Sequence, residues 1–309
     1  MAISNFVPEY WSPKLLTALR AKARYTQAGV INRNYEGTIR QQGDTVNITT
    51  IGDPTIKAYD KGADIEVEDL TDGTLKLVID QGDYFAFRVN DVDAVQAAGD
   101  FRSPATQRAA YGLKDKVDTY IASLFNLSAA NGGPIAANRL GDVSVINGTG
   151  TGKPGTGQTT AWNVLVGLQE RLNKQNVPTD GRYAIVPPEF LSALLQDPRF
   201  TRVDASGTSE GLRNGIVGRA AGFDILMSNN VPTATTRSLI TAGVPGALTF
   251  ASQLTETEAL RSQGRFADIV RGLNIYGAKI TRPEGLATAN AEFVAGTGVD
   301  TVVTTTTAP

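Results

Sequence analysis

The chain has 309 residues, with 29 Lys plus Arg against 31 Asp plus Glu and a formal net charge of −2. That balance argues against a dedicated nucleic-acid binder, whose surface must be basic to meet phosphates. Cysteine and histidine are both absent, which excludes disulfide frameworks, thiol nucleophiles, imidazole bases and Cys/His zinc sites, and no cofactor or metal is expected.

The start, MAISNFVPEYW, lacks the basic region and apolar run of a signal peptide. From Ser12-Pro13 a short helix is expected, with Leu15, Leu16, Leu19 and Ala23 on one face and Lys14, Arg20, Lys22 and Arg24 around it. So thin an arm does not fold alone and needs a surface to lie on. From Asp44 to Asn90 the period changes to two: Val46, Ile48 and Thr50 alternate with polar residues, as do Leu75, Leu77 and Ile79, then Phe85, Phe87 and Val89. These predict strands. Between them lie Asp53, Asp60, Asp64, Glu66, Glu68 and Asp69, relieved by Lys57 and Lys61, with Ile65 and Val67 alternating against acids as a further strand. A two-stranded ribbon is marginal by itself, so this charged hairpin also needs support.

Ser103 to Leu127 reads as one long amphipathic helix. Ser103 suits the cap and Pro104 the first turn, and Ala110, Leu113, Val117, Tyr120, Ile121 and Leu124 form one stripe. Lys114 and Asp118 are spaced to pair on another face. At ~1.5 Å per residue the helix would run roughly 35 Å. Asn131-Gly132-Gly133-Pro134 ends it. The Gly/Thr-rich run Gly148 to Gly157 fails as a phosphate-binding loop, because Asn147 stands where the first glycine belongs and Pro154 follows Lys153. It is expected to be a surface connection. Ala161 to Asn176 predicts a helix with Trp162, Leu165, Leu168 and Leu172 inward.

Arg182 to Val186 is a short apolar strand ended by Pro187-Pro188, and Glu189 to Leu195 starts a helix that Asp197-Pro198 stops. Leu212 to Phe223, with glycines at 215, 218 and 222, leads into a strand at Asp224 to Ser228 and a turn at Asn229 to Pro232. The uncharged stretch Ser238 to Thr255 is broken by Gly243, Pro245 and Gly246 and is too polar to span a membrane. A soluble chain with no membrane partner is expected. The Thr-rich tail, Gly296 to Pro309, lacks apolar periodicity.

The strand to Pro-Pro to helix run Arg182 to Asp197, the glycine-spaced run Asn214 to Phe223, Ser228 to Pro232, and Arg271 to Lys279 resemble, in order and spacing, the major capsid proteins of tailed bacteriophages with the HK97-like fold. The resemblance implies an α+β fold with an N-terminal arm (1–34), an extended β-hairpin or E-loop (35–90), a peripheral domain with a long spine helix (91–130), an axial domain (131–248), return strands of the peripheral domain (249–290) and a C-terminal tail (291–309). It implies a non-enzymatic structural protein of the virion that forms hexamers and pentamers of an icosahedral head around double-stranded DNA and is assembled in the host bacterial cytoplasm. Its partners would be further copies of itself and a separate scaffolding protein, with a decoration protein, a portal and non-specific contact with packaged DNA. Some members cross-link a hairpin lysine to an asparagine, and Lys57 and Lys61 lie in the corresponding element, but nothing else in the sequence points to that chemistry.

The residues themselves support intersubunit roles for the two segments that cannot bury an apolar face unaided. Lys57, Lys61, Asp64, Glu66 and Glu68 are expected to pair across subunits, and Leu15, Leu16 and Leu19 to pack on an adjacent copy. The helix stripe Leu113, Val117, Ile121 and Leu124 is expected against the late strands around Asn274 to Ile280. Two other classes compete. A carboxylate-dependent hydrolase would need two acids facing one cleft, with Glu189 and Glu256 or Glu258 as candidates, and a bacterial surface-layer protein would need an export signal.

Overall fold

The computed structural model describes residues 23–27, 29–34, 45–51, 54–58, 61, 67–69, 72–90, 102–129, 133, 135–150, 154–197, 218–261, 264 and 267–297. The predicted period-two segments form β1 (Thr45–Ile51), β2 (Asp72–Val78) and β3 (Gln81–Asn90). The long amphipathic segment is α1 (Arg102–Ala129). A 3-10 turn at Ala136–Asn138 leads into β4 (Arg139–Gly150), followed by the short β5 (Gln158–Thr159). Part of the expected surface connection, 148–150, is therefore strand. Residues 154–157 are tied down where the Gln158 side chain accepts from the Gly155 and Thr297 main-chain N–H groups at 2.7 and 3.1 Å.

Helix α2 (Ala161–Lys174) is capped by Thr160, whose hydroxyl accepts from the Asn163 N–H, and it carries Arg171 and Lys174 in its last turn, where the helix dipole favours cations. After β6 (Tyr183–Val186), Pro188 occupies the first turn of α3 (Pro188–Gln196) and Glu189 follows it. The remaining strands are β7 (Arg219–Ala220), β8 (Phe223–Met227), β9 (Thr233–Ala234), β10 (Arg237–Gly243), β11 (Leu248–Arg261), β12 (Ala267–Ile280) and β13 (Leu286–Gly296). The stretch Ser238 to Thr255 thus holds most of two strands.

An eight-stranded mixed sheet runs β5-β4-β13-β10-β6-β8-β7, with β9 paired to β10. Its alternation divides the core. Ala184, Val186, Ile240, Ala242, Ala287, Ala289 and Ala291 meet Leu165, Leu168 and Leu172 of α2 and Phe190 and Leu194 of α3. Alanines on the central strand let both helices come close. Tyr183, Ile185, Leu239 and Leu286 belong to a second cluster with Val117, Ile121 and Phe125 of α1 and with Leu248, Phe250, Tyr276 and Ile280 of a three-stranded sheet, β11-β12-β3. The expected packing of α1 on the late strands is present for Val117 and Ile121, with Leu124 partly buried beside them. Strand β13 runs through residues 291–296, which sequence alone assigns to a tail.

The buried arc of α1 is rotated from the predicted stripe. Ala110 is exposed, whereas Ala122 and Phe125 are buried. At about 100° per residue this turns the inward face far enough to take in Asp118, which is fully buried rather than paired with Lys114 on the surface.

Candidate functional site

The first exposed feature among the described residues is the hairpin. Strands β1 and β2 pair antiparallel from Thr45↔Val78 to Ile51↔Asp72 and pair with no other described strand. Ile48 and Leu77 share one face of this ribbon and bury it, with Ile79, against Ala251 and Ile275 of the three-stranded sheet. The ribbon crosses β12 at Gly277. A methyl group there would collide with the Val78 carbonyl oxygen and lie 3.1 Å from Ile79 Cα, so this glycine is the condition of the close approach.

Beyond that base the described residues are bare. Ile56 is 96 % and Val67 91 % exposed. Lys57, Lys61 and Glu68 are exposed as well, and Glu68 accepts from the Thr55 N–H, which ties the two limbs together. Asp64 and Glu66 lie outside the described residues. Residues 67–69 are not strand, so that part of the alternation Ile65 to Glu68 does not pair; an apolar side chain as exposed as Val67 gives a strand no support.

A second apolar surface lies on the outward side of the three-stranded sheet. Tyr84 and Leu273 are direct cross-strand partners, 77 % and 41 % exposed. Further along the same face Leu260 stands opposite Ile269, and between them Arg271 donates to Glu258 at 2.6 and 2.8 Å. On the other side of this sheet Tyr276 donates to Asp83 at 2.7 Å. Burial, then that bond, pushes its hydroxyl pKa up.

A third feature is the segment 23–34 laid against α1 and β11. Leu15, Leu16 and Leu19 lie outside the described residues. Tyr25, Val30 and Ile31 are buried, with the Tyr25 ring 5.8 Å from that of Phe125. Asn32 bridges β11, donating its N–H to the Leu248 carbonyl and accepting from the Phe250 N–H, both at 2.9 Å. Asp118 Oδ1 accepts from the main-chain N–H of Tyr25 at 2.8 Å and of Thr26 at 3.2 Å, and Asn230 Nδ2 donates to Asp118 Oδ2 at 3.1 Å and to Asp115 Oδ1 at 2.8 Å. Sequence reasoning missed this junction. Its one available signal was the position of Asp118 beside Val117 and three residues before Ile121.

Of the candidates for hydrolysis, Glu189 and Glu258 sit on different sheets and face no common cleft among the described residues. Glu189 is an exposed first-turn acid of α3 on the large sheet, and Glu258 is engaged by Arg271 on the other sheet. The side chain of Glu256 lies outside the described residues. Among the described residues no group of acids has the disposition to hold a metal ion, and no helix is long and apolar enough to cross a membrane.

The family model for phage capsid protein matches residues 75–289. Among solved structures, the chain is similar to one from Mycobacterium phage Che8, at 31 % identity over 93 % of this chain and 98 % of that one, with a TM-score of 0.69. It also shares its fold with a chain of the capsid of the cyanophage P-SCSP1u (16 % identity, 94 % of each chain, TM-score 0.72) and with one of the capsid of Ralstonia phage GP4 (16 %, 97 % of this chain and 100 % of that one, TM-score 0.60). None of the curated proteins matches it. An α+β body with a large sheet, exposed apolar residues on the ribbon loop and the three-stranded sheet, and these likenesses agree: the chain belongs to the phage capsid protein family and is a structural protein of the virion, the major capsid protein of a tailed phage.

Proposed function

We propose that the chain builds an icosahedral head of the HK97-like type, as hexamers and pentamers around double-stranded DNA. In this reading β1, β2 and the loop between them are the E-loop, α1 is the spine helix, the three-stranded sheet belongs to the peripheral domain, and the large sheet with α2 and α3 is the axial domain. Assembly is geometric, since the same surfaces meet repeatedly until a curved lattice closes. A separate scaffolding protein guides it in the host cytoplasm, and a portal and a decoration protein complete the head. The near-neutral charge suits an inner wall that does not hold packaged DNA tightly, because phosphate binding grows with each cation engaged.

The observation that carries this reading is the contrast along the hairpin, whose base is embedded in its own chain while Ile56 and Val67 beyond it meet solvent. Exposed apolar residues on a protruding ribbon are stabilised when a neighbour covers them, at ~25 cal/mol per Å². Lys57, Lys61, Asp64, Glu66 and Glu68 then set register and partner choice, each exposed pair contributing about 0–1 kcal/mol, and Leu15, Leu16 and Leu19 pack on an adjacent copy. Deleting Asp53 to Thr71 tests the reading. The shortened chain should unfold like the full-length protein yet give no closed shells by negative-stain microscopy and size exclusion, and normal particles would sink the proposal.

A further inference from the structure

Asp118 differs from the other described acids in its surroundings. It is fully buried, and its hydrogen-bond donors come from two stretches far away in sequence, residues 25–26 and Asn230. None of the described lysines or arginines forms an ion pair with it. The ionisable groups that face it are Asp115, one turn earlier on α1 and sharing the Asn230 amide, and Tyr25, with Tyr183 of β6 behind; burial keeps both tyrosines protonated. Asn230 is neutral. A carboxylate so placed holds the arm's root to the body while standing, when ionised, as a buried charge beside a second acid.

We propose that Asp118 is the anchor that fixes Tyr25 and Thr26 on α1, and that this anchor loosens as Asp118 ionises. Oδ1 takes both main-chain donors, so a proton on Oδ2 leaves them in place. The Asp118 pKa is raised, first by burial, against which the bonds from Asn230, Thr26 and Tyr25 pull, and further by Asp115. A group whose pKa is higher in the closed state than in the open one stabilises the closed state fully below the ordinary carboxylate range, and that contribution is lost as pH rises through the raised value. The other fixings, Val30, Ile31 and the bonds of Asn32, contain no acid. When the hold at Tyr25 fails, the fixed point moves five residues on, to Val30. The inference goes beyond the assembly reading, because it concerns the isolated chain.

Hydrogen-exchange mass spectrometry on the unassembled full-length protein tests it, through peptides covering 23–31 and with rates corrected for the intrinsic effect of pH. Between about pH 4 and about pH 8, protection of these peptides in the native sequence should fall, because the closed state holds the Asp118 proton more tightly than the open one. Asp118→Asn keeps an acceptor at Oδ1 and should give a flat profile. Asp118→Ala should lower protection at every pH while peptides from α2 and α3 stay unchanged, and if that variant fails to fold, Asn230→Ala should lower protection by a smaller factor and keep the slope. A native profile that is flat or rises with pH, or an Asp118→Asn profile that follows the native one, would overturn the proposal.

Discussion

A guanidinium with no carboxylate beside it closes the C-terminal end of α2. Arg182 is 1 % exposed and donates to the carbonyl oxygens of Pro178 and Val177 at 2.7 and 2.6 Å and to Asn173 Oδ1 at 2.8 Å. Two of these acceptors are main-chain carbonyls of the loop after the helix and the third is a side chain of its last turn, where the dipole is negative and favours a cation. Arg182→Ala should lower the unfolding free energy by about 3 kcal/mol or more in chemical denaturation, since each buried acceptor left without its charged donor costs about 1–3 kcal/mol. Arg182→Lys should recover less than half of that, because an ammonium cannot match the planar fork. The sequence shows this arginine at the head of an apolar strand but not its task, because two of its three acceptors are main-chain atoms and leave no pattern of side chains. Asp118 was hidden for a related reason. Its spacing from Lys114 fits a surface pair, and only the arrival of the 25–26 main chain against α1 explains why it turns inward.

Elements were legible where their own periodicity decides them. The ribbon strands, α1, α2, the strand ended by Pro-Pro and the helix after it fall within a few residues of their predicted bounds, since alternation, stripe and proline each act locally. What lies between elements was not. Nothing in Gly277 or in the two residues Ile79-Asp80 announces that the ribbon crosses β12 there, because the requirement is for a missing side chain and its partner is a carbonyl oxygen two hundred residues earlier. Gly277→Ala tests that crossing. The added methyl meets backbone rather than the end of a flexible side chain, so the ribbon must shift away from Ala251 and Ile275, at a cost of about 1–3 kcal/mol. Proteolysis within 45–78 should then speed up while cleavage elsewhere does not. A variant whose ribbon is cut no faster would show that the base is held by its apolar face alone.

For the whole molecule, three apolar clusters join rather than separate the parts. One buries the helices on the large sheet, one unites that sheet, α1, the arm root and the three-stranded sheet, and the smallest seats the ribbon. A body welded in this way suits a lattice that must keep one curvature through thousands of contacts. The order of the large sheet adds a constraint in time. Strand β13, the last of the described strands, pairs with β10 on one side and β4 on the other, so the middle of the sheet stays open until residues 286–296 arrive. A chain ending before Leu286 should show no cooperative thermal transition and should not enter particles when made alongside the full-length protein. A shell tolerates no half-made tile, and placing β13 inside the sheet makes its arrival the condition for joining β4 to β10.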